Sequence, residues 1–270
     1  MTAALTEPRL EWYPLQPRTL RVSGVDRVTP RMIRVVLTGE ELEGFRTDNF
    51  DDHVKVFLPG EGERSPRLPA MDEQGRWNMR APGLTYRDYT VRSFDPSAAE
   101  LVLDFVAHDH GPAGRWAMSA RPGDELGVLG PRGTLHIDRG YDYHLLGADE
   151  TALPAVARRI EDLPRDARVL ALLEVADARE EQYIDAPEGA SITWLHRDGA
   201  APGTTDLLDR ALAGLTLPEG TGFAWFGGEA DSLKPVRRRL KEMGFVRNST
   251  SVVDGYWRRG AANHDHHADD

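Results

Sequence analysis

The first half of the chain alternates apolar and polar residues over short segments. In the segment 53–58, Val54, Val56 and Leu58 share one face of a strand and leave Lys55 on the other. Segments 86–94 and 100–108 alternate in the same way, and 126–129 is a short apolar run bounded by Pro and Gly residues. Many short strands separated by such turns predict an antiparallel β-barrel.

In the second half, continuous apolar runs typical of buried strands alternate with segments whose apolar residues have helical spacing. Strands are predicted near 143–146, 168–175, 191–195 and 223–226, and helices near 151–163, 206–215 and 232–243. Alternating strands and helices predict a parallel sheet of the nucleotide-binding type. We therefore expect a two-domain β plus α/β protein with domains at 8–138 and 139–260, and a disordered tail at 261–270.

The composition excludes several kinds of partner and of reaction. With Lys+Arg 33 against Asp+Glu 44, the net charge of −11 argues against a nucleic-acid partner. Because the chain has no cysteine, thiolate, disulfide and iron–sulfur chemistry are excluded, and any redox activity requires a bound cofactor.

The first twenty residues lack a signal-peptide core and no apolar run could span a bilayer, so a cytoplasmic protein with no membrane partner is expected. The ligand-type side chains of His264–His267 fall in the tail, and no working metal site is expected there.

The stretch Arg87–Arg92 is the first that suggests a cofactor. Arg87 and Tyr89 point to the same side of a strand, so a guanidinium can hold a diphosphate while a phenol ring packs on a flat aromatic ligand. Thr90 can offer its hydroxyl or its backbone N–H to a ring nitrogen. Taken alone, the stretch is equally consistent with an ordinary barrel strand.

A second stretch, residues 108–117, follows a strand and opens a helix. Its small residues allow backbone N–H groups to approach an anion, and a helix N-terminus favours a pyrophosphate. His108 and Trp116 could flank an adenine or flavin ring. The alternative is a glycine-rich connection that carries a core tryptophan.

These residues resemble the siderophore-interacting proteins, FAD-dependent ferric-siderophore reductases of the ferredoxin–NADP reductase superfamily. An Arg-x-Tyr-Thr element matches residues 87–90, and a Gly-Pro-Ala-x-x-Trp-Ala element matches residues 111–117. Segments 147–155 and 255–260 are also similar to that family, so the resemblance runs from about residue 22 to residue 260.

The resemblance implies a six-stranded FAD-binding barrel, an NAD(P)H-binding α/β domain, and a ferric siderophore as electron acceptor. The implied cofactor-binding residues are Arg87, Asp88, Tyr89, Thr90, Val106, His108, Gly111, Pro112, Ala113, Trp116, Thr151, Glu229 and Trp257. Family members place basic side chains near the exposed flavin edge, where they attract anionic chelates. The candidates here are Lys55, Arg132 and Arg258, with Arg247 and Arg259 as alternates.

The nucleotide half lacks a Gly-x-Gly-x-x-Gly turn. Asp149 and Glu150 follow its first strand and would repel a pyrophosphate, which indicates transient nucleotide docking. Thr151 either contacts the nucleotide or caps the following helix. Related reductases often carry a cysteine where Phe226–Glu229 stands, so Glu229 is a possible replacement and the electron donor stays open, a ferredoxin included.

Residues near the second strand bear on the choice of nucleotide. Glu174 could bind a ribose 2′-hydroxyl and favour NADH, whereas Arg179 or Arg197 could hold the 2′-phosphate of NADPH; NADH is weakly favoured. Two other functions remain open at this point. One is a flavin reductase with a protein or quinone acceptor, and the other is a non-catalytic flavoprotein that binds ferric chelates.

Overall fold

A computed structural model describes residues 8–262 of the chain. These residues form two compact units, one of residues 10–135 and the other of residues 136–262 together with residues 8 and 9. The tail segment His264–His267 lies outside the described residues. Among residues 8–262 no helix is long and apolar enough to cross a membrane.

The N-terminal unit is built on a seven-stranded antiparallel sheet, a two-stranded sheet and one helix. The seven strands are β2 (Pro17–Thr29), β3 (Met32–Thr38), β4 (His53–Phe57), β5 (Tyr86–Thr90), β6 (Ser93–Asp95), β7 (Glu100–Val106) and β8 (Glu125–Leu129). They lie in the order β5-β4-β8-β2-β3-β7-β6. The short sheet pairs β1 (Arg9–Trp12) with β9 (Gly133–His136), and the helix is α1 (Pro112–Ser119).

The two edges of the seven-stranded sheet are joined by two residues. β5 and β6 occupy opposite edges of the sheet, and only Val91 and Arg92 separate them in the chain. The Val91 N–H donates to the Asp52 carbonyl at 2.8 Å, and the Arg92 N–H donates to the Val102 carbonyl at 3.0 Å. A linker this short spans only about 10 Å, so the sheet must roll until its edges meet.

The fold class expected from the sequence is confirmed, with one difference in strand number. The segment 86–94 was predicted as one strand, but it is divided into β5 and β6 where the chain passes from one edge of the sheet to the other. The sheet therefore has seven strands, and six were expected. The interior is filled by inward-facing Val, Leu, Ile and Phe side chains from both sides of the roll.

The C-terminal unit is a five-stranded parallel sheet with three helices. Its strands lie in the order β12-β11-β10-β13-β14. The elements are β10 (Tyr143–Ala148), α2 (Leu153–Asp162), β11 (Val169–Val175), β12 (Ala190–His196), α3 (Leu207–Ala213), β13 (Gly222–Glu229), α4 (Leu233–Glu242) and β14 (Ser251–Trp257). All residues of β10 and β13 are buried, as near-continuous apolar runs in a parallel sheet require.

The strand order determines where this unit can hold a ligand. The chain starts at β10, adds β11 and β12 on one side, and then adds β13 and β14 on the other. The crevice outside the carboxyl ends of β10 and β13 is therefore the topological switch point, where open α/β sheets bind their ligands. Strand β14 was not predicted, because its apolar run is only Val252–Val253 before Asp254 and Gly255 interrupt it.

Gly147 gives a direct test of packing in this sheet. It lies opposite Phe226 on β13, and a Cβ at position 147 would overlap the Phe226 ring. We expect Gly147→Ala to lower the free energy of unfolding by about 1–3 kcal/mol through overpacking. Chemical denaturation measures the loss.

Gly214→Ala is the matched control, since its new Cβ would meet its nearest heavy atom at 3.6 Å, an ordinary contact distance. Equal stability of the two variants would contradict this account of the packing.

Candidate functional site

Arg87 and Tyr89 lie together on one face of β5. Their opposite partners on β4 are Val56 and Val54, so both side chains are on the core side of the sheet. The Tyr89 ring centroid is 4.1 Å from that of Phe105, and burial raises the pKa of the Tyr89 phenol. Strand β5 therefore places a guanidinium beside an uncharged phenol ring, as the sequence predicted.

The charge of Arg87 is not matched by a carboxylate among residues 8–262. Its side chain is half-buried, and its hydrogen bond runs from Nη1 to the Tyr86 carbonyl at 2.6 Å. A half-buried cation without a carboxylate partner is suited to bind an anion from solution.

Helix α1 begins beside the Arg87 side of the barrel with an open N-terminus. Gly111 precedes the helix in an extended conformation, Pro112 occupies the first turn, and no side chain caps the helix or places an acid in that turn. The N–H groups of Ala113 and Gly114 are therefore available to an anion, with the favourable end of the helix dipole behind them.

The glycines of this segment have a local packing reason. A Cβ at Gly114 would lie 2.5 Å from the His108 carbonyl oxygen, and one at Gly111 would lie 2.9 Å from the His108 ring. This packing desolvates the His108 imidazole and lowers its pKa; nearby charged groups, including Arg87, have smaller effects. Trp116, one turn into α1, has its ring centroid 5.6 Å from that of Phe105. Tyr89 and Trp116 thus pack against the same phenylalanine.

The remaining cofactor candidates of this unit have structural roles in the sheet. Thr90 is buried and lies opposite His53, and Val106 ends β7 opposite Met32. Roles for Thr90 and Val106 in cofactor binding stay predictions.

Lys55 and Asp88 form an ion pair on the opposite face of β5. The two residues are directly opposite each other on β4 and β5, and Lys55 Nζ lies 2.8 and 3.0 Å from the two carboxylate oxygens. Lys55 Nζ also lies 5.4 Å from the Tyr86 ring centroid. The structure therefore pairs a residue expected to attract substrate with one expected to bind the cofactor.

The other two basic candidates differ in their partners. Arg132 is exposed, and its guanidinium carbon lies 4.8 Å from the centroid of the Trp12 ring. Arg258, in the C-terminal unit, has its Nε 3.8 Å from a carboxylate oxygen of Asp231.

Asp149 organises the carboxyl edge of the parallel sheet. Its carboxylate accepts hydrogen bonds from the N–H and hydroxyl of Thr151, from the Glu229 N–H, and from Trp257 Nε1 at 2.8 Å. Burial, and then the neighbouring Glu150 charge, raise the pKa of Asp149. Three residues expected to bind cofactor therefore converge on one buried carboxyl group.

Thr151 does not cap helix α2. The helix begins at Leu153, Ala152 is at the N-cap position without a side-chain cap, and the Thr151 hydroxyl donates to Asp149. The capping alternative for Thr151 is therefore wrong.

Glu229 uses both of its carboxylate oxygens on backbone groups. One accepts the Ser232 N–H at 2.7 Å and the other accepts the Arg259 N–H at 3.1 Å. These bonds fix the start of α4 and the segment after β14. A role for Glu229 in place of the absent cysteine stays a prediction.

A buried ion network at this edge was missed by sequence reasoning. The Arg197 guanidinium contacts Glu150 at 2.8 Å and Glu174 at 3.5 Å, and the Thr205 hydroxyl donates to Glu174 at 2.8 Å. The Arg197 side chain is only 2% exposed. Burial raises the pKa of Glu174, an effect that Thr205 and Arg197 oppose.

This network corrects two expectations about nucleotide choice. Glu174 was expected to meet a ribose hydroxyl and Arg197 a 2′-phosphate, but each is buried and already paired with the other. Arg179 is exposed, yet it is paired with Asp177 at 2.8 Å. The preference for NADH therefore loses its structural basis.

An antiparallel β unit followed by a parallel α/β unit is a fold that other solved structures share. A crystal structure of a ferredoxin NADP+ reductase from Neisseria gonorrhoeae with bound FAD and NADP shares this fold. Its TM-score is 0.63 at 14% sequence identity, over 89% of this chain and 99% of that one.

The chain belongs to the siderophore-interacting protein family. Residues 21–135 match the family model described as a siderophore-interacting FAD-binding domain, and residues 141–260 match the model of siderophore-interacting proteins. The N-terminal unit is accordingly an FAD-binding domain. A flavin dinucleotide fits the residues present: Arg87, which has no carboxylate partner among residues 8–262, the Tyr89 ring and the uncapped N-terminus of α1.

Individual relatives extend the similarity over nearly the whole chain. The NADPH-dependent ferric-chelate reductase of Escherichia coli is 38% identical over 84% of this chain and 87% of its own. The ferric vibriobactin reductase ViuB of Vibrio cholerae is 34% identical over 90% of each chain. A crystal structure of a siderophore utilization protein from T. fusca is 61% identical, with a TM-score of 0.93 over 97% of this chain and all of that one.

Removal of Arg197 tests the buried ion network. Arg197→Met would leave two buried carboxylates unpaired, so we expect the free energy of unfolding to fall by about 3–5 kcal/mol near neutral pH. Loss of the cation raises the pKa of Glu174 further. A carboxyl group with a raised folded pKa contributes stability that is complete below its unfolded pKa and is lost as the pH rises through its folded pKa. The deficit should therefore be larger at pH 8 than at pH 5.

Denaturant titration at both pH values measures this deficit. Arg179→Met is the control, because that arginine is 73% exposed and its ion pair contributes little. A deficit no larger for Arg197→Met than for the control would refute the structural role of the network.

Proposed function

We propose that this protein is an FAD-dependent reductase that passes electrons from NAD(P)H to a ferric siderophore and releases iron(II). The observation that carries the proposal is the surroundings of Phe105 and His108 in the N-terminal unit. Tyr89 of β5 and Trp116 of α1 both pack on Phe105. The His108 ring lies against Gly111 and Gly114 at the uncapped start of α1, and the Arg87 charge acts on the same ring. Relatives named as ferric-chelate and ferric vibriobactin reductases, aligned over most of the chain, support the same assignment.

The N-terminal unit binds and orients the cofactor. Arg87 and the N–H groups at the start of α1 hold the diphosphate, while Tyr89, backed by Phe105, presents a flat apolar surface to the ring system. Bound there, FAD would supply the redox chemistry, because a flavin can take a hydride from NAD(P)H and pass the two electrons singly to ferric iron. No nucleophile or general base of the chain is required.

The C-terminal unit docks the nucleotide at the carboxyl ends of β10 and β13. Asp149 and Glu150 stand at that edge, and no cationic side chain among residues 8–262 forms an ion pair with Asp149. A buried carboxyl group near the pyrophosphate position opposes a tight grip on an anion. The nucleotide therefore visits this edge briefly, as suits a co-substrate that must leave after each turnover.

Basic side chains favour the approach of an anionic chelate. The whole protein carries a net charge of −11, so an anionic substrate is repelled unless cations are concentrated at its site. In the N-terminal unit Lys55 and Arg132 would supply such cations, and in the C-terminal unit Arg258 would do so. Because hard oxygen donors bind iron(II) much less firmly than iron(III), reduction loosens the chelate and frees the metal.

Substitution of Arg87 tests the proposed cofactor contact. Arg87→Gln removes a charged donor from the diphosphate, so the dissociation constant for FAD should rise roughly 10- to 100-fold. The measurement is a titration of the apoprotein with FAD, followed by flavin fluorescence. Arg121→Gln is the control, because Arg121 is an exposed arginine of the same unit. Unchanged FAD affinity in Arg87→Gln would remove Arg87 from the site.

Substitutions in the Lys55–Asp88 pair test the attraction of the chelate. Lys55→Gln should lower kcat/KM for an anionic ferric tris-catecholate by about five- to tenfold at low salt. Asp88→Asn should raise it, because the paired Lys55 charge is released. Both differences should shrink at high ionic strength, where exposed charges are screened.

The assay couples NADPH or NADH to the ferric chelate and traps iron(II) with a ferrous dye. Lys241→Gln, at an exposed position on α4, is the matched control. If Lys55→Gln and Asp88→Asn shift kcat/KM in the same direction, or if neither shift depends on salt concentration, the electrostatic role of Lys55 is refuted.

A further inference from the structure

Trp12 is an exposed aromatic residue that lies against a substrate-attracting arginine. Its side chain is 61% exposed, and the guanidinium carbon of Arg132 lies 4.8 Å from its ring centroid. We propose that Trp12 is a positioning residue that holds the Arg132 guanidinium in place for anionic ferric chelates. This inference rests on the proposed function.

The chain around the pair brings Trp12 and Arg132 together through the backbone. The Tyr13 N–H donates to the Arg132 carbonyl at 2.9 Å, which ties the end of β1 to the loop before β9. Gly133 allows this approach, because a Cβ there would collide with the Glu11 carbonyl oxygen and lie 3.3 Å from Trp12 Cε3. The indole is thus packed on the residue that follows Arg132.

The residues on either side of Trp12, at the end of β1, are anchored by an ion pair and a hydrogen bond. The Glu11 carboxylate is 3.3 Å from Arg46, and the Tyr13 hydroxyl donates to Asp48 at 2.6 Å. The Arg46 guanidinium also lies 4.5 Å from the Tyr13 ring centroid. These contacts hold the strand while the indole stays open to solvent, so Trp12 is placed at the surface by a fixed backbone.

Arg132 has a charge that is free to act on a ligand. Within residues 8–262 no carboxylate forms an ion pair with it, whereas Lys55 is bound by both oxygens of Asp88. A guanidinium stacked on an indole keeps its N–H groups at its edge, where they can donate to two oxygens of one anion. The indole therefore limits the motion of Arg132 without using its donors.

This arrangement predicts discrimination by the charge of the chelate. A trianionic tris-catecholate gains from a fixed cation, whereas a neutral trihydroxamate does not. Loss of the indole should increase the mobility of Arg132 and weaken binding of the anionic chelate, but leave that of the neutral chelate nearly unchanged.

The experiment compares Trp12→Leu and Trp12→Phe with the wild-type protein, all loaded with FAD. Binding is measured with gallium(III) complexes of the two chelators, which carry the same charges as the iron(III) complexes and are not reduced. For the gallium tris-catecholate, Trp12→Leu should raise the dissociation constant about two- to fivefold, and Trp12→Phe should restore most of the affinity. Tyr183→Leu is the control, because it removes an 88% exposed aromatic ring from the other unit.

Kinetics with the iron(III) complexes separate this inference from the proposed function. We expect Trp12→Leu to raise KM for the tris-catecholate with little change in kcat, and the KM difference to decline with salt. If the wild-type protein reduces both chelates and Trp12→Leu binds and reduces the tris-catecholate equally well, the role of Trp12 is refuted. If the wild-type protein reduces neither chelate, the proposed function itself fails.

Discussion

The closure of the N-terminal sheet is the constraint on which the cofactor site depends. Residues 91 and 92 carry the chain from one edge of the seven-stranded sheet to the other, so the sheet can exist only as a roll. The roll brings Tyr89 of β5 onto Phe105 of β7, and Phe105 in turn supports Trp116 of α1. A flat sheet would separate these three rings, and with them the start of α1 from β5, which together form the diphosphate site that we propose.

Arg87 and Arg132 of the N-terminal unit differ from Arg197 of the C-terminal unit in their partners, and this difference matches the functions that we propose for them. In the N-terminal unit Arg87 and Arg132 have no carboxylate partner among the described residues, so their charges are available to a diphosphate and to an anionic chelate. In the C-terminal unit Arg197 is enclosed by Glu150 and Glu174, and Asp149 is satisfied by neutral donors. Cations without a carboxylate partner can bind an anionic cofactor tightly. Carboxylates whose hydrogen bonds and ion pairs are made within the protein favour a nucleotide that binds briefly and leaves.

Local patterns predicted much of this structure, and long-range pairing decided the rest. Strand alternation placed Arg87 and Tyr89 on one face, and the change of period located the parallel sheet. The Glu150–Arg197–Glu174 network was not predictable, because its residues follow or end three different strands whose order β12-β11-β10 no local pattern encodes. The contact of Trp12 with Arg132 was missed for the same reason, since 120 positions of sequence separate them.

The proposed function requires that electrons reach ferric iron from a flavin held by this chain. This transfer is tested most directly by photoreducing the FAD-loaded protein without oxygen or nucleotide and mixing it with a ferric tris-catecholate in a stopped-flow instrument. We expect the flavin absorbance to return while a ferrous dye reports about two iron(II) per FAD, since each ferric ion takes one electron. A flavin that stays bleached, or that is reoxidised without the appearance of iron(II), would contradict it.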